Sequence, residues 1–139
     1  MYVKETHVLT DGALLAMLQA AVAKADDIGQ PQCIVIVDAS GVTLAQLRMS
    51  GAKFLSLKSA QAKARTAASI RAASHDIPES VGLSIAAATS GDATRLSGGL
   101  PITINGQCLG GVGVGSGSPD QDLQVARAAL GAINADLWE

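Results

Sequence analysis

A few cationic side chains stand near glycine-rich segments in a chain that carries little charge. Arg48 ends a strand-like run, and Lys63, Arg65 and Thr66 lie together on a run of helix-forming residues. A guanidinium or ammonium group beside a glycine-rich turn can hold a carboxylate or a phosphate. The same residues are equally typical of a solvated helix face, so the sequence leaves both interpretations open.

The glycine-rich run before the last helical segment offers a second possible anion site. Residues 110–117 are GGVGVGSG, and a helix beginning there could present backbone N–H groups to an anion. However, no further strand and acidic residue follow, as a dinucleotide fold requires, and no lysine precedes Ser or Thr as in a P-loop. We therefore favour the interpretation that these glycines let the strand bend or let another stretch of backbone pass close by.

Metal and nucleophile chemistry find little support in the sequence. The two histidines, His7 and His75, have no partner at metal-ligand spacing, so no metal site is predicted. His75, beside Asp76, is more typical of an exposed loop, and His7 matters only if the N-terminal arm folds over a pocket or a neighbouring subunit. Cys33 and Cys108 lie in apolar runs and are expected to be small buried residues without a disulfide. No serine lies in a Gly-x-Ser-x-Gly elbow.

The elements that position these residues begin with a helix and a hairpin. Apolar residues at helical spacing predict a first helix over 14–25, with Thr10 or Asp11 as its cap. Runs 33–38 and 42–49 flank a short turn and predict two hairpin strands. The first of these strands is apolar throughout, which indicates a central strand covered by helices on both faces.

The rest of the chain repeats this order of elements. Strong helix formers predict a long helix over 54–73, and a further short helix is expected within 79–90. Strands over 100–104 and 107–115 flank Asn105-Gly106, a strong type I′ turn signal. A second hairpin is therefore expected.

A closing helix completes the predicted fold. Ser118 and Gln121 have the spacing of a capping box, with Pro119 at the first helical position between them. Hairpins take the place of βαβ crossovers, so we expect an α/β domain of the α+β type. It consists of a small, mainly antiparallel sheet of two hairpins with helices packed on it.

Composition limits the classes of partner. The chain has 139 residues, the size of one domain over 1–139, with 10 Lys and Arg against 12 Asp and Glu. This balance argues against a nucleic-acid partner. No run approaches the ~20 apolar residues of a membrane span, and the first residues lack a secretory core, so we expect no membrane partner and a cytoplasmic location. Many small apolar residues with few charges predict a homo-oligomer that buries apolar surface.

An ordered set of segments resembles the GlcG/HbpS family, whose haem-binding-protein-like domain also forms the C-terminal part of PduO-type corrinoid proteins. The resemblance runs from about residue 9 to residue 133. The segments that carry it are IVIVDASG at 34–41, RMSGA at 48–52, KARTA at 63–67, GGLPI at 98–102, NG at 105–106, GGVGVG at 110–115 and DQD at 120–122. No one segment is decisive, but the ordered set is specific.

The resemblance implies a profilin-like GlcG/HbpS domain that assembles into dimers or higher oligomers. It also implies that some members bind haem or a corrinoid, and these are the cofactors expected here. The pocket is expected around the turn that begins at Gly98. Its candidate ligand-binding residues are Arg48, Lys63, Thr66, Gly98, Gly99 and Pro101.

Two functions are consistent with these residues. The first is an oligomeric small-molecule-binding protein that holds haem, a corrinoid or a related ligand. The alternative is a small catabolic enzyme, an isomerase, lyase or hydrolase, in which Arg48 or Lys63 clamps a small carboxylated substrate and no general base is assigned. A small cationic pocket would favour the enzyme, and a wide apolar cleft near a histidine would favour the tetrapyrrole. A purely structural assembly role is a third interpretation.

Overall fold

Four α-helices, a short 3₁₀ turn and four β-strands make up the chain in a computed structural model, which describes residues 1–139. In chain order they are α1 (Asp11–Asp27), β1 (Cys33–Asp38), β2 (Thr43–Arg48), α2 (Leu55–Ile70), the 3₁₀ turn (Ser74–Asp76), α3 (Glu79–Ala88), β3 (Gly99–Ile104), β4 (Gln107–Gly115) and α4 (Pro119–Gly131). The order of helices and strands is the predicted one, and the 3₁₀ turn is the one added element.

The four strands form one antiparallel sheet in the order β2-β1-β4-β3. Each predicted hairpin is present, and the two hairpins are joined because β1 also pairs with β4. Residues Cys33 to Val37 of β1 are all buried. The predicted antiparallel sheet and its doubly covered central strand are both confirmed.

Different helices cover the two faces of the sheet. On one face, α1 and α4 pack against each other and enclose Ile34, Ile36 and Val112. On the other face, α2 packs on Val35 and Val37. Successive side chains of a strand point to opposite faces, so β1 contributes to both cores in alternation.

α2 lies very close to β4 because Gly111 and Gly113 carry no side chain on the surface of β4 that faces it. A Cβ atom at Gly113 would overlap the carbonyl of Ala60, and one at Gly111 would overlap the carbonyl of Ala64. The facing positions of the helix are themselves alanines, which keeps the two backbones close. The glycine run therefore allows the backbone of α2 to pack closely on β4, which is one of the two structural interpretations that the sequence favoured.

The ends of the elements follow local sequence signals, with one exception. Asn105 and Gly106 both have positive φ, 50° and 78°, as a type I′ turn requires. Ser118 and Gln121 form the predicted capping box, each side chain bonding the other's backbone. α2 ends at residue 70 rather than at the predicted 73, because Arg71 adopts a left-handed conformation with φ 55°.

α3 is apolar in sequence and yet packs little against its own chain. Gly82 is its one buried residue, while Val81 and Leu83 are exposed, Leu83 to 90%. Glu79 is the one charged residue of this helix. None of the helices combines the length and the low polarity that crossing a bilayer requires.

Candidate functional site

The predicted site residues are best located by the two ends of the sheet. At one end of the sheet, Arg48 of β2 pairs with Cys33 of β1, and Cys33 pairs in turn with Gly115 of β4. The N–H of Val114, the residue before Gly115, donates to the Gly98 carbonyl at 3.0 Å. We call this row the closed end. Arg48 and Gly98 thus lie at the same end but at opposite edges of the sheet, about 14 Å apart at the usual strand spacing. The other end, which carries the β1–β2 and β3–β4 turns, is called the open end.

Lys63 lies inside the protein at the closed end. Its Nζ is 3.1 Å from Oδ2 of Asp122 and donates to the Val114 carbonyl at 2.8 Å. The Lys63 and Asp122 side chains are only 6% and 4% exposed, and Asp122 also accepts from the Gly117 N–H at 3.0 Å. The ammonium group is therefore engaged by internal acceptors, and the pair joins α2 to α4 across the end of β4.

The carboxylate of this pair has a perturbed pKa. Burial raises the pKa of Asp122 above its ordinary value of 3.8, although the charge and hydrogen bond of Lys63 and the Gly117 N–H oppose the shift. Desolvation disfavours the charged form, whereas an ammonium neighbour favours it. The direction of the shift means that desolvation outweighs the pairing at this position.

The glycines and the proline of the predicted turn pack the chain at the same end. A Cβ atom at Gly99 would overlap the Lys63 carbonyl, and Gly98 has a φ of +120°, which favours glycine. Pro101 is buried in β3, an edge strand, where it is paired with Gly111. None of the three lines either of the two cavities described below.

The other two predicted residues lie apart from this group. Arg48 is exposed at the end of β2. Burial raises the pKa of the neighbouring Cys33 thiol, while the charge of Arg48 opposes the shift. Thr66 is buried on α2, where its Oγ1 donates to the Ala62 carbonyl at 2.7 Å and accepts from the Thr94 N–H at 2.9 Å. Of the six predicted residues, only Lys63, Gly98 and Gly99 lie together in the structure.

The open end carries a cavity of about 590 Å³ under the N-terminal arm. Small-molecule sites typically have volumes of roughly 300–1,000 Å³. We call it the histidine cavity, and its lining residues are Lys4, Thr6, His7, Ala39, Arg71, Thr103, Gly106, Gln107, Cys108, Asp136 and Trp138. The N-terminal arm thus folds over a pocket, and this meets the condition under which His7 was expected to matter.

The imidazole of His7 is oriented by a side-chain amide. Its Nδ1 is 2.8 Å from Oε1 of Gln107, and Nε2 of Gln107 is 3.0 Å from Oγ1 of Thr6. Because the amide nitrogen is directed at Thr6, its oxygen faces His7, and Nδ1 is assigned the proton of that contact. In the neutral ring, the other nitrogen, Nε2, then keeps its lone pair, as in metal-binding imidazoles held by a hydrogen bond from behind.

A second cavity, of about 480 Å³, adjoins the first at Ala39, which lines both. We call it the arginine cavity, and its lining residues are Ala39, Ser40, Gly41, Val42, Arg65, Thr66, Ser69, Thr89, Asp92 and Ala93. Nε of Arg65 donates to the Gly41 carbonyl at 3.0 Å, and its Nη1 is 2.9 Å from Oδ1 of Asp92. This ion pair is partly exposed, at 34% and 62%.

Sequence reasoning missed several residues of the open end. Gln107 and Asp92 gave no signal, since each acquires its role from a partner far away in the chain. Arg71 was predicted to lie within the long helix. In the structure the helix ends before it, because Arg71 is left-handed, and its side chain lines the cavity. His75 is exposed and lies 3.7 Å from Asp76, in keeping with the interpretation of an exposed loop histidine.

Comparison with known sequences identifies related proteins. The family model described as "Haem degrading protein HbpS-like" matches residues 9–131. The chain is 34% identical over 136 residues to the corrinoid adenosyltransferase PduO of Citrobacter freundii, covering 94% of this chain and 38% of that protein. It is also 36% identical over 127 residues to an uncharacterised 15.0 kDa protein of the same organism, covering 88% of this chain and 89% of that one. The chain therefore spans well under half of the adenosyltransferase.

Solved structures share the fold over nearly the whole chain. A PduOC:heme complex superposes with a TM-score of 0.87 at 29% identity, covering 96% of this chain and 100% of that one. The Klebsiella pneumoniae protein ORFY gives a TM-score of 0.91 at 28% identity, with 96% of each chain covered. A structure of HbpS gives 0.84 at 32% identity, covering 95% of this chain and 94% of that one. The resemblance seen in the sequence is confirmed, and the chain belongs to the HbpS-like family.

Proposed function

We propose that this protein binds a metal-containing tetrapyrrole, haem or a corrinoid, in the histidine cavity, with Nε2 of His7 as an axial ligand. The observation that carries the proposal is the hydrogen bond between His7 and Gln107, which leaves Nε2 free beside a cavity of about 590 Å³. A related structure contains heme, and a related enzyme is named for a corrinoid. Both iron and cobalt tetrapyrroles accept an imidazole nitrogen.

Two of the other lining residues are cationic, in a lining that is mostly polar rather than apolar. Lys4 and Arg71 supply positive charge, which suits the carboxylates at the periphery of a tetrapyrrole. The indole N–H of Trp138 is shielded from solvent and has no hydrogen-bond partner within the chain. An unpartnered buried donor is rare in proteins, and a ligand carboxylate would accept its hydrogen bond.

The residues that the sequence predicted for the pocket enter this proposal in a different way. Thr66 lines the neighbouring arginine cavity, and Arg48 stays free on the surface. Lys63, Gly98 and Gly99 are more consistent with a packing role, because the ammonium has internal partners and the glycines lie against the backbone. We propose that they support the sheet on which the cavities are built. When bound, the tetrapyrrole would supply a metal centre, which His7 would hold.

The test is a titration of the purified apo-protein with haemin, followed by absorbance in the Soret region, with hydroxocobalamin titrated in parallel. The expected result is saturable binding of at least one of the two, which His7→Ala abolishes. Gln107→Leu removes only the group that orients the imidazole, and should weaken binding by about 10- to 100-fold.

His75→Ala is the matched control, since it removes the other histidine, which lines neither cavity. It should bind as tightly as the unaltered protein. Binding that does not saturate, or that is equal in His7→Ala and the unaltered protein, would overturn the proposal.

We further propose that the protein works as a homo-oligomer through the apolar surface around α3. Leu96 lines two adjacent grooves, one shared with Leu83 of α3 and the other with Leu55 of α2. All three leucines are exposed, at 56%, 90% and 69%, and a second copy of the chain offers a surface of the same character. Light scattering should give the mass of an oligomer that Leu83→Glu converts to a smaller species. Leu15→Glu alters a leucine on α1 that is also exposed, at 69%, and that lines neither groove, so it should leave the mass unchanged.

A cytoplasmic location completes the proposal. It is supported by the two cysteines, Cys33 and Cys108, which are both free thiols, as is usual for proteins of a reducing compartment. Cell fractionation tests this location. Recovery of the protein outside the cytoplasmic fraction would contradict it.

A further inference from the structure

We propose that the arginine cavity is a second binding site, which takes a small monocarboxylate on the guanidinium of Arg65. It is lined by a different set of residues from the histidine cavity, and Ala39 is the one residue that the two share. The inference does not depend on tetrapyrrole binding, because none of the residues that it uses contacts His7.

Arg65 is held in place while part of its guanidinium stays unused. Two of its nitrogens are engaged, Nε by the Gly41 carbonyl and Nη1 by Asp92, and Nη2 makes no hydrogen bond within the chain. The hydroxyls of Ser40 and Ser69 line the same cavity and are likewise without a protein partner. The cavity therefore presents three unused donors, one of them charged, and such a set suits an anionic ligand.

The walls on both sides of Arg65 are fixed by hydrogen bonds, exposed on one side and partly buried on the other. Oδ1 of Asp38 accepts from the N–H groups of Ser40 at 2.8 Å and Val42 at 3.0 Å, which holds the β1–β2 turn. On the other side, Oγ1 of Thr66 bonds the Asp92 carbonyl at 3.2 Å and the Thr94 N–H at 2.9 Å. The donors are thus held in position before a ligand arrives, which lowers the entropic cost of binding.

Charge selects a monocarboxylate over a more highly charged anion. Arg65 is the one cation among the lining residues and Asp92 the one anion, so the cavity as a whole is neutral. The contact between them shows that the guanidinium can bind a carboxylate in this orientation. The Asp92 side chain is 62% exposed, and exposed ion pairs contribute little to stability. A ligand carboxylate can therefore take the place of Asp92 on Nη1 while also reaching the free Nη2.

The experiment is a titration of the ¹⁵N-labelled full chain with sodium acetate at constant ionic strength, with sodium chloride and inorganic phosphate as comparison salts. Acetate should give saturable amide shifts confined to the three segments that line the cavity, 39–42, 65–69 and 89–93. Arg65→Gln should abolish them. Arg95→Gln is the matched control, since Arg95 bonds the Ile77 carbonyl and lines a different groove.

Asp92→Asn gives the sharper result, because it removes the competing carboxylate and leaves Arg65 in place. It should bind acetate more tightly by about two- to fivefold, the factor that an exposed ion pair represents. This outcome does not depend on the Arg65 variant folding. The proposal is overturned if acetate shifts do not saturate, if phosphate or chloride reproduces them, or if Asp92→Asn weakens them. His7→Ala should leave the acetate titration unchanged, so the two sites fail or succeed separately.

Discussion

The two ends of the sheet differ in how completely the charged or ionisable side chains placed there are hydrogen-bonded within the chain. At the closed end, Lys63 and Asp122 are buried and bond each other, and neither of them lines one of the two cavities. At the open end, Arg65 and His7 are each held by a partner, and each keeps one nitrogen free beside a cavity. A buried charge that is paired within the chain supports the fold, whereas a partly partnered group at a cavity can still bind a ligand.

The largest effect is expected from breaking the closed-end pair. Lys63→Met leaves the Asp122 carboxylate buried without its ammonium partner, and should lower the free energy of unfolding by about 3–5 kcal/mol. Urea denaturation measures this loss. Adding Asp122→Leu to Lys63→Met removes the uncompensated charge and should recover much of the stability. A loss below about 1 kcal/mol in the single variant would place the pair among ordinary surface ion pairs.

The contrast between the two ends also explains what the sequence could predict. The helices, the strands and the Asn105-Gly106 turn follow from hydrophobic period and turn chemistry, which act over a few residues. A close approach of another backbone to β4 was also indicated, because glycines alternate along the strand. The elements were therefore accessible from local pattern, whereas the early end of α2 at Arg71 and the pairing of β1 with β4 were not.

The site was less accessible because its chemistry depends on contacts between distant residues. Lys63 is a plausible anion clamp until Asp122, 59 residues later, is placed 3.1 Å from its ammonium. His7 was indicated only conditionally, since Gln107, which orients it, is 100 residues away. Charge and residue type identified the groups able to bind anions or metals. They did not tell which of those groups the fold leaves free.

A pH titration sharpens the view that desolvation dominates at the closed end. The pKa of Asp122 is raised above 3.8 in the folded protein, so the folded state holds this proton more tightly than the unfolded state does. The resulting stability is fully present below pH 3.8 and is lost as the pH rises through the raised pKa. Each pH unit between the two pKa values corresponds to about 1.4 kcal/mol.

The measurement is the difference in unfolding free energy between the unaltered protein and Asp122→Asn, taken across this range. The unaltered protein should gain stability relative to the variant as the pH falls towards 3.8, and the difference should be constant below that value. The opposite slope would mean that Lys63 lowers the pKa more than burial raises it. The pair would then resemble an ordinary favourable ion pair.

The smallest effect is expected from removing a cation at the open end. Arg65→Gln breaks an ion pair with Asp92 that is partly exposed on both sides, and should cost no more than about 1 kcal/mol in unfolding free energy. Denaturation in urea, beside Lys63→Met, compares the two ends directly, since both variants remove one positive charge from α2. If the two losses are equal, Arg65 supports the fold as much as Lys63 does. If Arg65→Gln is nearly neutral in stability and abolishes acetate binding, the guanidinium is held at the cavity for a ligand.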